Sequence, residues 1–164
     1  MSRNLERKIR WIIYMLMTVL AGVVFPLRTS LANNTENLIV RSATITNTHG
    51  SVQVMKVNTS NWIPAEKGML LYEGDRIKTS TQSSADLNIQ GGETSEVRLV
   101  ENTDMTFERM IFDNTSALSD TLLNLAIGKI LVTSENLSEG SKYNVQTPTS
   151  LVGIRGTMFE VEVS

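Results

Sequence analysis

The chain has 164 residues, a formal net charge of −2 at pH 7, a single histidine and no cysteine. The lack of cysteine excludes disulfides, thiolate metal sites, a cysteine nucleophile and a lipid-modified cysteine anchor. His49 stands in a polar turn cluster without a serine or carboxylate arrangement that would support acid–base or metal chemistry, so we expect no catalytic residue, no metal ligand and no cofactor.

The N-terminal segment is typical of an exported protein. Four basic residues within residues 3–10 precede an apolar run over residues 11–27, and Ser30 and Ala32 are small residues placed as in a signal-peptidase site. The sequence therefore predicts a signal peptide helix over residues 1–32, cleaved after Ala32. A retained membrane anchor is the alternative, because the run approaches the length of a spanning helix. Either way, we expect the remainder to be periplasmic or otherwise extracytoplasmic.

Loss of this leader changes the charge of the protein. Residues 1–32 hold five of the fifteen Lys and Arg residues and one of the seventeen Asp and Glu residues, which leaves ten basic and sixteen acidic residues, a formal charge of −6. A domain of this charge repels phosphate backbones, so we expect no nucleic acid partner. We expect membrane contact only through the N-terminal segment, if that segment is not cleaved.

Short alternating segments follow the leader. Residues 33–48 form a lead-in and a first strand rich in Ile, Val and Thr, and residues 49–164 form the main β domain. The turn cluster at residues 47–50 predicts a hairpin between this first strand and a second one that begins at Val52.

The same pattern continues along the chain. Gly128 interrupts an apolar segment at residues 122–132, which favours strand, turn and strand over a helix, and loops are predicted at residues 113–120 and 136–141. Short strands at about ten-residue spacing with glycine-based turns predict an all-β fold, a compact sandwich or β-roll. The apolar positions expected in its core include Val52, Val54, Ile77, Leu87, Ile89, Val97, Leu99, Ile130, Val132, Val145 and Val161.

The last segment has the clearest alternation. Apolar and acidic residues alternate over residues 159–163, so we expect Glu160 and Glu162 to share the solvated face of a final strand. Pro148 lacks an N–H and is expected at a strand end or edge, and Gly156 predicts a bend before the final strand. An unpaired edge on this strand would be open to the addition of another strand.

Three residues are candidates for roles beyond packing. Trp62, close to Pro64, is either a ligand-stacking surface or a lid over one end of the β core. Arg155 lies in an apolar stretch, so its guanidinium either finds a buried partner or contacts another molecule. Asp75 follows Gly74 and precedes a strand, which favours an Asx-type turn bond over cation binding. We take Trp62 and Arg155 as the possible partner contacts.

The order and spacing of these segments resemble the FecR domain, the extracytoplasmic module of the FecR family of iron-dicitrate sensor proteins. The resemblance covers residues 50–163, and it is strongest in the combination of all its pieces. The closing pieces are Thr-Pro at residues 147–148 and Val-Gly-Ile-Arg-Gly-Thr-Met-Phe at residues 152–159. The earlier pieces are Gly-Ser-Val-Gln-Val (50–54), Trp-Ile-Pro-Ala (62–65), Gly-Met-Leu-Leu (68–71), Gly-Asp-Arg-Ile-Lys-Thr (74–79), Ala-Asp-Leu-Asn-Ile (85–89) and Leu-Ala-Ile-Gly-Lys-Ile (125–130).

The resemblance implies a β-rich, non-catalytic domain that works by protein contacts. Founding members of the family place an anti-sigma segment before the membrane helix, but only ten residues precede the apolar run here, too few to fold around a sigma factor. We also expect no further receptor-contacting domain after residue 163, and the sequence fits either a complete small protein or the front part of a longer one. The expected function is an exported module that binds another envelope protein or a cell-wall polymer. The alternative is a membrane-anchored extracytoplasmic sensor in a sigma/anti-sigma pathway.

Overall fold

The regular structure of the described residues consists of β-strands. A computed structural model describes residues 37–92, 94–135, 137–155 and 158–164. The predicted signal peptide helix and Gly156 lie outside the described residues. Within the described ranges there is no helix, and so none that could cross a membrane. The all-β prediction is confirmed.

Alternation of β-branched and polar residues gives each strand one face for the core and one for solvent. The strands in the described ranges are β1 (Leu38–Val40), β2 (Ser42–His49), β3 (Val52–Met55), β4 (Trp62–Pro64), β5 (Leu70–Leu71), β6 (Arg76–Thr79), β7 (Ser84–Gln90), β8 (Ser95–Leu99), β9 (Asp104–Asp113), β10 (Leu118–Ser134), β11 (Lys142–Gln146), β12 (Leu151–Gly153) and β13 (Met158–Val163).

Two sheets share the long strand β10. Residues 118–127 of β10 pair with antiparallel β9 on one side, and residues 120–124 pair with parallel β11 on the other. Residues 128–134 pair with β8 and β13, both antiparallel. The first sheet has the order β4–β3–β6–β9–β10–β11–β12, with β1 also beside β9, and the second has the order β13–β10–β8–β7–β2–β5. The two sheets together form one curled sheet.

β10 passes from one sheet to the other at Gly128 without a turn. Gly128 has a φ of +96°, and a Cβ atom there would lie 2.4 Å from the Cα atom of Thr103. The Lys129 N–H donates a hydrogen bond of 3.0 Å to Thr103 Oγ1, which holds the two segments together. The predicted strand–turn–strand at residues 122–132 is therefore wrong, because a glycine in the left-handed region lets the strand bend and continue.

The predicted hairpin between the first strand and Val52 is also wrong. β2 continues to His49 and pairs with β7 and β5, whereas β3 pairs with β4 and β6 in the other sheet. The chain turns a corner at Gly50 and Ser51, where the Ser51 N–H donates to Ser83 Oγ at 2.9 Å. The backbone groups of β2 and β3 are used by strands from later in the chain, so the two strands do not pair with each other. Similarly, the loop predicted at residues 113–120 is a shorter turn, since β10 already begins at Leu118.

The core lies between the inner faces of the two sheets. Every predicted core position is buried, from Val52 to Val161. The core also takes in residues that the sequence pattern had not assigned to it, among them Met110, Leu123 and Leu125 on the long strands β9 and β10.

Candidate functional site

A cleft lies beside residues 125–127 of β10, on the edge opposite β9, where none of the described strands pairs with that edge. The pairing of β10 with β11 ends at Asn124, and its pairing with β13 begins at Gly128. Between these residues the register with β9 shifts, which places a bulge at Ala126. The space has a volume of about 520 Å³, and we call it the β10 cleft. Its walls are formed by Ala126, Ile127, Thr147, Pro148, Thr149, Ser150, Val152, Val161, Glu162, Val163 and Ser164.

One wall of the β10 cleft is the turn between β11 and β12. The Thr147 N–H donates to the Ser150 carbonyl at 2.8 Å, and the Ser150 N–H donates to Thr147 Oγ1 at 3.0 Å. Pro148 lies in this turn, as predicted, where its missing N–H removes no bond from a strand ladder. The turn sends the chain back as β12, the outermost strand at this end of the first sheet.

Apolar side chains are exposed on this side of the molecule. Leu151 is 65 % exposed, Ile127 51 % and Val152 37 %. Single exposed apolar residues are ordinary, but a group beside a cleft and an open strand edge is typical of an interaction site.

The opposite wall is β13, which pairs with β10 alone among the described strands. Its alternation is as predicted: Val161 is buried, while Met158, which breaks the pattern, is 72 % exposed. Glu160 and Glu162 share the outer face, where their carboxylates lie 3.1 and 2.9 Å from Lys129 Nζ. Hydrogen bonds from Lys129 to Glu162 and Glu160 raise the pKa of the Lys129 ammonium above its ordinary value.

The two predicted contact residues lie at opposite ends of the first sheet. Trp62 is half-buried on the edge strand β4, with Lys78 Nζ 4.0 Å and Arg76 Cζ 5.6 Å from its ring centroid. Arg155 follows β12 and is exposed, so a buried pairing for its guanidinium is wrong. The structure does not bring Trp62 and Arg155 together into one site, and Arg155 is the one close in sequence to β12 and β13.

Asp75 has a structural role. Its carboxylate is buried and accepts hydrogen bonds from the Val57 N–H at 2.8 Å and the Tyr72 N–H at 3.0 Å. The Tyr72 contact closes the turn before β6, but it comes from a residue before Asp75 and so differs from the predicted Asx-type bond to a residue after it. Lys56 Nζ also lies 2.7 Å from the carboxylate, a partner that the sequence did not indicate because it lies in a different turn.

A second concavity, of about 460 Å³, lies on the outer face of the second sheet. Arg98 donates to both carboxylate oxygens of Asp86, at 2.6 and 3.1 Å, and this hydrogen bonding holds the pKa of Asp86 below its ordinary value. Glu96, Leu131 and Met158 line the same concavity, which therefore borders β13.

Buried polar residues lie on the inner side of these strands, and one of them, Arg41, was not predicted from the sequence. Arg41 is 2 % exposed and donates from Nη1 to Thr121 Oγ1 at 2.9 Å. The ring of Tyr143 packs edge-on against Phe159 with centroids 6.0 Å apart. Its hydroxyl is buried near Ser95 without a hydrogen bond of normal geometry, and burial raises the pKa of this phenol. An alternating pattern of apolar residues gives no signal for an arginine that faces the core.

Within the described ranges, no three His, Asp or Glu side chains form a group that could hold a metal ion.

Comparison with known proteins identifies the family of this chain. No curated protein and no solved structure matches the chain. The family model described as FecR protein matches residues 75–164, from Asp75 through β13, and so includes the whole β10 cleft. FecR domains generally belong to envelope-associated sensor and signalling proteins. The chain belongs to the FecR protein family.

Proposed function

We propose that this protein is an exported, non-catalytic FecR-domain module that binds another protein of the cell envelope, or a cell-wall polymer. The observation that carries the proposal is the β10 cleft, which is flanked by exposed apolar side chains and by edges of β12 and β13 that pair with no described strand. Open strand edges and apolar clefts are surfaces that proteins use for binding.

Export is supported by the leader pattern of residues 1–32 and by the envelope association general to this family. A non-catalytic role is supported by the state of the carboxylates. Asp75, Asp86 and Asp104 are each hydrogen-bonded to a lysine or arginine, and Lys129 binds both Glu160 and Glu162. Carboxylates held in this way serve the fold and do not form the paired acid and base that hydrolysis needs.

The test is capture of a partner by the tagged full-length protein from envelope extract after cross-linking. We expect one or more partners to be enriched by the native protein and lost with Val152→Asp, which places a charge in the β10 cleft. Val57→Asp is the matched control, because Val57 is 48 % exposed in a turn that does not line the cleft. Failure to recover a reproducible partner, or equal recovery with both variants, would contradict the proposal.

A membrane-anchored sensor is the second candidate, and it is favoured by the signalling role general to FecR domains. The two candidates differ in the N-terminus of the processed protein. Mass spectrometry that finds Asn33 at the N-terminus supports the exported module. An intact segment at residues 3–10 in the membrane fraction supports the anchored sensor.

A further inference from the structure

The edge of β13 that no described strand pairs with presents the backbone groups of acidic residues. The Lys129 C=O accepts a hydrogen bond from the Val100 N–H at 3.0 Å, and the Lys129 N–H donates to Thr103 Oγ1, so both groups point away from β13. The direction of the backbone N–H and C=O groups alternates from residue to residue along an antiparallel strand. The N–H and C=O groups of Ile130 and Val132 therefore point toward β13. Their partners in register are Val161 and Phe159. The N–H and C=O groups of Glu160 and Glu162 therefore point outward, to the open edge.

The side chains on the outer face of this edge carry an excess of negative charge. Glu160 and Glu162 share the single ammonium of Lys129. The nearby Arg98 is already bound to Asp86 by two hydrogen bonds, and Glu96 lies on the same face. A strand that pairs with β13 would place its outward side chains directly opposite these glutamates.

This charge pattern disfavours a second copy of the chain as the pairing strand. Two β13 strands related by a two-fold axis perpendicular to the sheet would pair antiparallel. Residues on the outer face of one copy would then lie opposite residues on the outer face of the other. Glu160 would then face Glu160 or Glu162 of the other copy, and like charges in directly opposed positions destabilise a strand pair. A strand with basic side chains in these positions would instead gain two opposite-charge pairs.

We propose that the β13 edge binds an extended segment of a partner protein in which lysine or arginine alternates with apolar residues. The basic side chains pair with Glu160 and Glu162, while the apolar ones pack on the side of Val161 and Val163, toward the β10 cleft. This inference rests on the proposed binding function and specifies the kind of partner. Backbone hydrogen bonds give affinity in such a pairing, and the alternate side chains give specificity.

The test uses the full-length protein and two labelled probes, a peptide of alternating Lys and Val and the same peptide with Glu in place of Lys. Fluorescence anisotropy should show about tenfold tighter binding of the Lys peptide. The variant E160K/E162K should reverse this preference. The control E66K/E139K makes the same change in net charge at exposed positions outside the edge and should leave the preference unchanged.

A second pair of variants separates charge from backbone pairing. Glu160→Gln removes one charge and should reduce the preference for the Lys peptide. Glu160→Pro also removes an outward N–H, which no bond to β10 uses, so the fold should survive and the binding of both peptides should fall further. Circular dichroism checks that each variant keeps its β-sheet spectrum.

Equal binding of the two peptides, or a preference that E160K/E162K does not alter, would overturn the inference. A dimer of the native protein in light scattering that Glu160→Pro dissociates would also overturn it in favour of a second copy. The proposed function is tested independently of this inference. If native protein and E160K/E162K capture the same partner equally from envelope extract, the binding role remains and only the assignment to the β13 edge is removed.

Discussion

The Asp75 carboxylate lies 2.7 Å from Lys56 Nζ and is also hydrogen-bonded to the N–H groups of Val57 and Tyr72. It thereby ties the turn after β3 to the turn before β6. The carboxylate side chain is 2 % exposed, whereas the lysine is 33 % exposed. The two partners of this ion pair should therefore contribute unequally to stability.

Replacing Asp75 with Ala should lower the free energy of unfolding by about 3 kcal/mol, because it leaves two backbone donors and an ammonium without their acceptor. Lys56→Met should cost about 1 kcal/mol, since the carboxylate keeps both backbone donors. Urea unfolding followed by circular dichroism measures both values. Equal losses for the two variants would mean that the ammonium, and not the backbone N–H groups, carries the contribution of Asp75.

Gly128→Ala should destabilise the protein by about 3 kcal/mol or more, through backbone strain together with a clash. The new Cβ would lie 2.4 Å from Thr103 Cα and 2.6 Å from the Asn102 carbonyl oxygen, so the backbone itself has to move. Gly68→Ala is the matched control, with a φ of +88° and open space at the Cβ position, and should cost only about 1–2 kcal/mol. Thermal unfolding of the two variants should show this order, and the reverse order would contradict the close approach at Thr103.

Tyr143→Phe should leave the free energy of unfolding at pH 7 unchanged or slightly higher, because the buried hydroxyl forms no hydrogen bond that offsets its desolvation. The native protein should also lose stability as the pH rises above about 10, the ordinary pKa of tyrosine. The sign follows from the raised pKa in the folded state: the unfolded chain releases the phenol proton first, so high pH favours unfolding. Tyr143→Phe should weaken this alkaline loss, which urea unfolding at pH 7 and above about pH 10 measures.

The Asp86–Arg98 ion pair should make a small contribution to the free energy of unfolding, and this contribution should be lost in acid. The pKa of Asp86 is lowered in the folded state, so the contribution is present above about pH 4, the ordinary pKa of aspartate, and is lost as the pH falls through the folded-state pKa. Arg98 is 62 % exposed, which limits the contribution to less than about 1 kcal/mol. The free energy of unfolding, measured with denaturant between pH 5 and pH 2.5, should fall less steeply with decreasing pH for Arg98→Ala than for the native protein. Parallel slopes would show that the pair contributes nothing.

Alternation correctly predicted that the apolar positions named from the sequence are buried, although it did not assign Met110, Leu123 and Leu125 to the core. Val52, Leu87 and Val161 follow strict two-residue periods, and a strand with one buried face requires that period whatever its partners are. The solvated position of Glu160 and Glu162 followed from the same rule. The family could also be identified from the order of the short segments.

Strand partners could not be predicted in the same way. The turn at residues 47–50 has the composition of a hairpin turn, yet β2 and β3 belong to different sheets, because local composition does not encode which distant strand completes a ladder. Gly128 gave a turn signal for the same reason: its role depends on Thr103, which approaches from another segment. The β10 cleft was not foreseen, since it arises from where two separate pairings of β10 stop.

The sharing of β10 has a consequence for how the protein gains and loses its structure. If β10 leaves, the first sheet loses its pairing with β9 and β11 and the second loses its pairing with β8 and β13, so the described part of the chain should unfold as one cooperative unit. The partners of β10 come from residues 95–113 and 142–163, on both sides of it in the chain. Such non-local pairing gives a high contact order, and folding should accordingly take milliseconds to seconds rather than microseconds.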